Sequence, residues 1–113
     1  MAFYNGDIDI TRNIRVIEWL KTELLGEITS LFRALANGMK DEVHEKAADA
    51  ISNMIMICYL LARRLGVTYN AVDMKIENKI KLGIIEEHEV EKWYGDLSEL
   101  SRHLYGKKNK KNF

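Results

Sequence analysis

Apolar residues return every three or four positions along almost the whole chain, and no proline interrupts them. That spacing is the 3.6-residue period of an α-helix, so any break must come from glycine or a polar turn. Ile14, Ile17, Leu20, Leu24, Ile28, Leu31 and Leu35 trace a first helix of roughly 25 residues, with Asp9 or Thr11 as its cap and residues 1–8 irregular before it. It closes at Ala36-Asn37-Gly38, where glycine accepts a left-handed conformation at little cost, and Gly26 is a point at which it could bend. A second helix starts within Met39–His44, with Asp41 and Glu42 at its positive dipole end, and stops at Gly66. A third, capped by Thr68 or Asn70, carries Val72, Ile76 and Ile80 and is expected to end at Gly83. The last helical stretch, Glu86 to Leu104, breaks near Gly95, and Asp96 and Glu99 are spaced as a capping box. Strand signals are absent. The expected fold is all-α, a bundle of about four to five helices.

A chain of 113 residues fits one domain. Residues 1–106 are expected to form it, and 107–113 a basic, disordered Lys/Asn tail; the tail's alternative reading is a weak contact to a polyanion. Lys plus Arg equals Asp plus Glu at 17 each, so bulk charge supports neither nucleic acid nor anionic membrane as partner. The N-terminus has no apolar signal core, and the apolar run Ala47–Ala62 is too short to span a bilayer and contains Asp49, Ser52 and Asn53. The expected compartment is the cytoplasm. The single cysteine, Cys58, lies in an apolar run and reads as a core residue. Within the second helix Ile51, Ile55, Met56, Ile57, Tyr59 and Leu60 do not share one face. A helix apolar all round needs cover on all sides, which points to a homo-oligomer, either dimer or tetramer.

Against that background Glu45, Asp49, Ser52 and Asn53 form a polar stripe at spacings of three and four. Glu23 and Glu27 offer a counterpart on the first helix, with Glu27 about 60° from the centre of its apolar stripe. Facing helices that each supply carboxylates suit a hard cation such as Mg²⁺, which takes oxygen ligands; surface acids of an amphipathic helix are the plainer alternative. His44, His88 and His103 show no ligand spacing, and Ser30, Ser52, Ser98 and Ser101 have no base partner for nucleophilic chemistry. Trp19, Trp93 and Tyr94 read as core rather than as platforms for a nucleobase.

The order Glu23-Leu24-Leu25-Gly26-Glu27, Glu45-Lys46-Ala47-Ala48-Asp49, then Leu61-Ala62-Arg63-Arg64-Leu65-Gly66-Val67 resembles the MazG-like all-α nucleotide pyrophosphohydrolases over residues 18–82. The resemblance implies hydrolysis of a (d)NTP to (d)NMP and pyrophosphate, with Mg²⁺ held by an E-x-x-E and an E-x-x-D pair. Glu27 and Asp49 match the second acid of each pair; Leu24 and Lys46 stand where the first acids belong. Leucine cannot coordinate a cation, and lysine opposes one. Three arrangements follow. Glu23 and Glu45 could substitute, at the cost of about 100° of rotation about each helix. Glu27 and Asp49, with Asn53, could hold one weak metal. Lys46 could replace the metal charge, holding phosphate itself or pairing with Glu27 or Asp49, which leaves a nucleotide-binding or oligomeric module without turnover. Lys75, Asn78, Lys79 and Lys81 on the third helix resemble the family's phosphate-contacting segment, or form an ordinary basic helix face.

Overall fold

The computed structural model describes the backbone of residues 2–38 and 41–106, and the side chains of 9–38 and 42–106. The Lys/Asn tail 107–113 lies outside the described residues. The order is α1 (Ala2–Ala36), α2 (Asp41–Arg64), α3 (Tyr69–Ile85), α4 (Glu89–Tyr94) and α5 (Asp96–Ser101), closed by a π-helical turn over Arg102–Gly106. Five α-helices and no strand among the described residues agree with the all-α expectation. No helix of the described residues is long and apolar enough to cross a membrane.

The chain divides into two compact units, Met1–Tyr69 and Asn70–Phe113. In the first, α1 and α2 pack as an antiparallel hairpin. Its register is pinned at one end, where Asn13 Nδ2 donates to the Arg64 carbonyl at 2.9 Å and Arg64 Nη1 donates to Asn13 Oδ1 at 3.1 Å. Seven residues further along α1 and seven back along α2, Leu20 and Ile57 lie level, and both are buried. Fourteen residues beyond that, Ala34 and Val43 repeat the match. A seven-residue repeat of buried positions is the seam of two helices packed side by side. Beside the hairpin's α2–α3 turn, the rings of Tyr59 and Tyr69 meet edge to face with centroids 5.8 Å apart.

α1 starts earlier than its periodicity predicts. Residues 2–8 are helical rather than irregular. Extending a formed helix adds one hydrogen bond per residue, and only Gly6 in that stretch opposes it. The turn after α2 ends as the sequence indicates: Gly66 has φ +86°, its N–H bonds the Arg63 carbonyl and Val67 N–H bonds the Ala62 carbonyl.

In the second unit Gly83 does not end α3, which runs on to Ile85. The left-handed residue that ends it is Glu87, at φ +53°. Gly83 instead leaves space for Leu97, whose Cδ1 would lie 2.6 Å from a Cβ built there. The capping box of Asp96 and Glu99 is not formed either, since the N-cap of α5 is Gly95 and makes no side-chain cap bond. Glu91 of α4 does that work from a turn earlier, with Oε1 accepting from Ser98 N at 2.9 Å and Oε2 from the Ser98 hydroxyl. These bonds, the hydroxyl's first, hold the Glu91 carboxyl below its ordinary pKa. α4 has its own cap, His88 Nδ1, which accepts from Val90 N at 3.2 Å.

Candidate functional site

The seam of α1 reads Asn13, Leu20, Glu27, Ala34, each seven residues after the last. Glu27 therefore occupies a packing position, and it is half-buried there between two buried residues, Leu20 and Ala34. The matching row on α2 is Arg64, Ile57, Ala50, Val43, so Glu27 lies level with Ala50, which is only 2% exposed. Alanine at that level leaves room for a carboxylate that a larger residue would fill. The phase deduced from the apolar pattern set Glu27 beside the interface; the packing brings it into the interface itself.

The other sequence candidates can be placed by helical phase about this seam. Because α2 runs against α1, offsets of the same hand on both helices fall on the same face of the pair. Glu23 is turned about 40° from the seam, Lys46 about 40°, Asn53 about 60° and Asp49 about 100°, all to the same face. Asp49 is exposed and Asn53 half-buried, and Asn53 Nδ2 approaches Asp49 Oδ2 at 3.5 Å. The Asp49 carbonyl accepts from the Ser52 hydroxyl at 2.9 Å. Glu45 is turned about 140° from the seam and is exposed. Leu24 lies half-buried, turned about 60° to the opposite, apolar face.

The hairpin thus brings Glu23, Glu27, Lys46, Asp49 and Asn53 to one face and leaves Glu45 off it. The ion pairs among the described residues are Lys21–Glu18 at 2.9 Å and Lys81–Glu77 at 3.6 Å, so Lys46 has no carboxylate partner there. No group of three or more His, Cys, Asp or Glu among the described residues is arranged to hold a metal. On α3, in the second unit, Lys75, Asn78 and Lys79 are exposed and share one stripe of the helix.

Two expectations about packing are corrected. Cys58 is exposed, because it is turned about 80° from the Ala50–Ile57 line onto the flank of α2. Trp19, Trp93 and Tyr94 are exposed as well, at 60%, 71% and 79%. Helical spacing alone does not bury an aromatic ring: Trp19 sits about 80° off the α1 seam, on the face that carries Glu23. Sequence reading missed the Asn13–Arg64 clasp, whose signal was Asn13 standing seven residues before Leu20, and the bond from Glu91 to Ser98, which has no fixed sequence spacing.

No curated protein and no solved structure matches this chain. The MazG-like family model matches residues 10–97, a span that takes in the whole α1–α2 seam from Asn13 to Arg64 as well as α3 and α4. The match covers well over half of the sequence, so the motifs on α1 and α2 and the fold that carries them have one origin: the chain belongs to the MazG-like family.

Proposed function

We propose that the polar face of the α1–α2 hairpin binds a nucleoside triphosphate together with Mg²⁺, and that the reaction served there is hydrolysis to the monophosphate and pyrophosphate. The observation that carries this reading is Glu27, a carboxylate set in the packing seam opposite an alanine. An acid in an apolar seam weakens the packing, and such local conflicts mark functional positions. Family membership supplies the chemistry.

Two carboxylates suit Mg²⁺, which is commonly held by one or two of them with water and substrate phosphates filling the remaining positions. Glu27 and Asp49 are the proposed ligands and catalytic carboxylates, with Asn53 orienting Asp49 through their 3.5 Å contact. Glu23 is a further acid on that face. Bound Mg²⁺ would neutralise charge on the phosphate oxygens. Lys46 supplies a second positive charge toward the same phosphates. Trp19 offers an exposed ring for the base, eight residues and about 12 Å along α1 from Glu27. The stripe of Lys75, Asn78 and Lys79 on α3 is likewise proposed to contact phosphate.

A second reading is favoured by Lys46 itself. A lysine where the family places a metal ligand, free of any carboxylate partner among the described residues, suits direct phosphate binding without turnover. Pyrophosphate release and thermal shift, measured across a panel of (d)NTPs with millimolar Mg²⁺, separate the two. Turnover abolished by Glu27→Gln and by Asp49→Asn supports hydrolysis. A nucleotide-dependent melting shift without turnover supports binding alone, and no shift at all would sink both.

Self-association belongs to the same proposal. Leu25, Phe32, Ile51 and Ile55 are exposed on the face of the hairpin away from Asp49, and a second copy is the proposed cover. Light scattering on the wild type and on Ile55→Glu tests it: the charge should shift the assembly toward monomer. A cytoplasmic setting completes the reading, in keeping with the free thiol of Cys58.

A further inference from the structure

We propose a second anion site at the end of the hairpin, where Arg12 and Arg64 line a depression that binds phosphate-type oxyanions independently of Glu27 and Asp49. The depression is open to solvent and measures about 730 Å³. Arg12, Asn13, Arg64 and Asp9 are its polar lining, and Ile10, Ile14 and Val16 its apolar lining.

Arg64 has its guanidinium oriented by one hydrogen bond to Asn13. Its Nη1 donates to Asn13 Oδ1 at 3.1 Å, while Asn13 Nδ2 donates to its carbonyl at 2.9 Å. One N–H of the guanidinium is occupied by this bond, which leaves most of its five donors for a ligand. A fixed guanidinium fork matches two phosphate oxygens and loses less side-chain freedom on binding than a free one. Arg12 is exposed, and neither arginine has a carboxylate partner within ion-pair distance among the described residues.

Two features oppose an anion here. The end of a helix carries partial negative charge on its free carbonyls. In this hairpin those carbonyls are engaged: Ala62 accepts from Val67 N–H, Arg63 from Gly66 N–H, and Arg64 from Asn13. The second is Asp9, whose charge offsets one arginine and leaves the depression with a net single positive charge. Asp9 therefore weakens the site and gives its test a sign.

Asn13 stands fourteen residues from Glu27, about 21 Å along the helix. One triphosphate does not bridge that distance, so occupancy here is separate from occupancy at the carboxylates. Free phosphate, free pyrophosphate and the phosphate of a nucleotide share the recognised chemistry, and the experiment tells them apart.

The test is NMR titration of the ¹⁵N-labelled full chain at low ionic strength with EDTA and no Mg²⁺, which silences a metal-dependent site. The probes are inorganic phosphate, pyrophosphate and a nucleoside monophosphate, read at the Asn13 side-chain amide and the arginine Nε–H signals. Saturable shifts at millimolar probe are expected. Arg64→Lys, which keeps the charge and loses the fork, is expected to weaken binding about tenfold, and Arg12→Ala by a similar factor. Asp9→Asn is expected to tighten it severalfold, and Glu27→Gln to leave it unchanged. Saturation with the inorganic probes assigns a free anion; saturation with the monophosphate alone assigns a nucleotide phosphate, and both support the site. Linear shifts without saturation overturn it, as do equal affinities in wild type and Arg12→Ala, no tightening in Asp9→Asn, or loss of binding in Glu27→Gln. Because Mg²⁺ is absent throughout, failure here leaves the hydrolase reading untouched.

Discussion

Replacing Glu27 by leucine is expected to stabilise the protein while removing its proposed function. The position lies in the α1–α2 seam between Leu20 and Ala34 and level with Ala50. Full burial of a leucine side chain contributes about 1.5–3 kcal/mol relative to exposure. Glu27 is half-buried, so roughly half of that range applies, about 0.75–1.5 kcal/mol. The facing alanine leaves space, which keeps overpacking small. For a domain of about this size, 1 kcal/mol moves Tm by about 4 °C, so an increase of about 3–6 °C is expected. Thermal unfolding followed by circular dichroism reads the shift, with Glu27→Gln as the isosteric control, expected within about 0.5 kcal/mol of wild type. In parallel, Glu27→Leu should lose any Mg²⁺-dependent nucleotide stabilisation. The reasoning fails if Glu27→Leu destabilises by about 1 kcal/mol or more, because the carboxylate would then be a structural partner. A gain in stability with loss of ligand response is the pattern of a residue kept for function at the expense of packing.

Gly83→Ala is expected to destabilise the second unit by about 1–3 kcal/mol in chemical denaturation, because its Cβ would stand 2.6 Å from Leu97 Cδ1; Leu97→Ala in the same background should recover part of that loss. Glu87→Gly is expected to stabilise by about 0.5–1 kcal/mol, since Glu87 holds φ +53° and glycine adopts that region freely; an equal or lower midpoint in urea would refute it. The Glu91 carboxyl lies below its ordinary value of 4.5, through the Ser98 hydroxyl first and then the Ser98 N–H. A depressed folded-state pKa means that this contribution is present above the unfolded value and is lost as pH falls through the folded one. The Ser98 amide signal should therefore move only below about pH 4.5, and Glu91→Gln should abolish that movement.

The sequence by itself determined the helical class, a count of about four to five helices and most of their extents. Its apolar residues recur with the helix period and no proline breaks them, and these are local properties of the chain. The motif order on α1 and α2 also led to the family, since short stretches such as Glu23 to Glu27 need no tertiary contact to be legible. Glu27, Asp49 and the departures at Leu24 and Lys46 stand in the sequence as written. What only the tertiary structure decided was phase and reach. Apolar residues surround much of α2, so its pattern alone does not say which side meets α1; the Asn13–Arg64 clasp and the buried pairs beyond it do. That register puts Glu27 in the seam, sets Asp49 and Asn53 on one flank of α2 near the same level and turns Glu45 further away. Gly83 shows the same limit from another side. A glycine near a helix end reads as a stop, but the need for it here comes from Leu97, fourteen residues on, and contacts across such a separation are written in the packing and not in the local pattern.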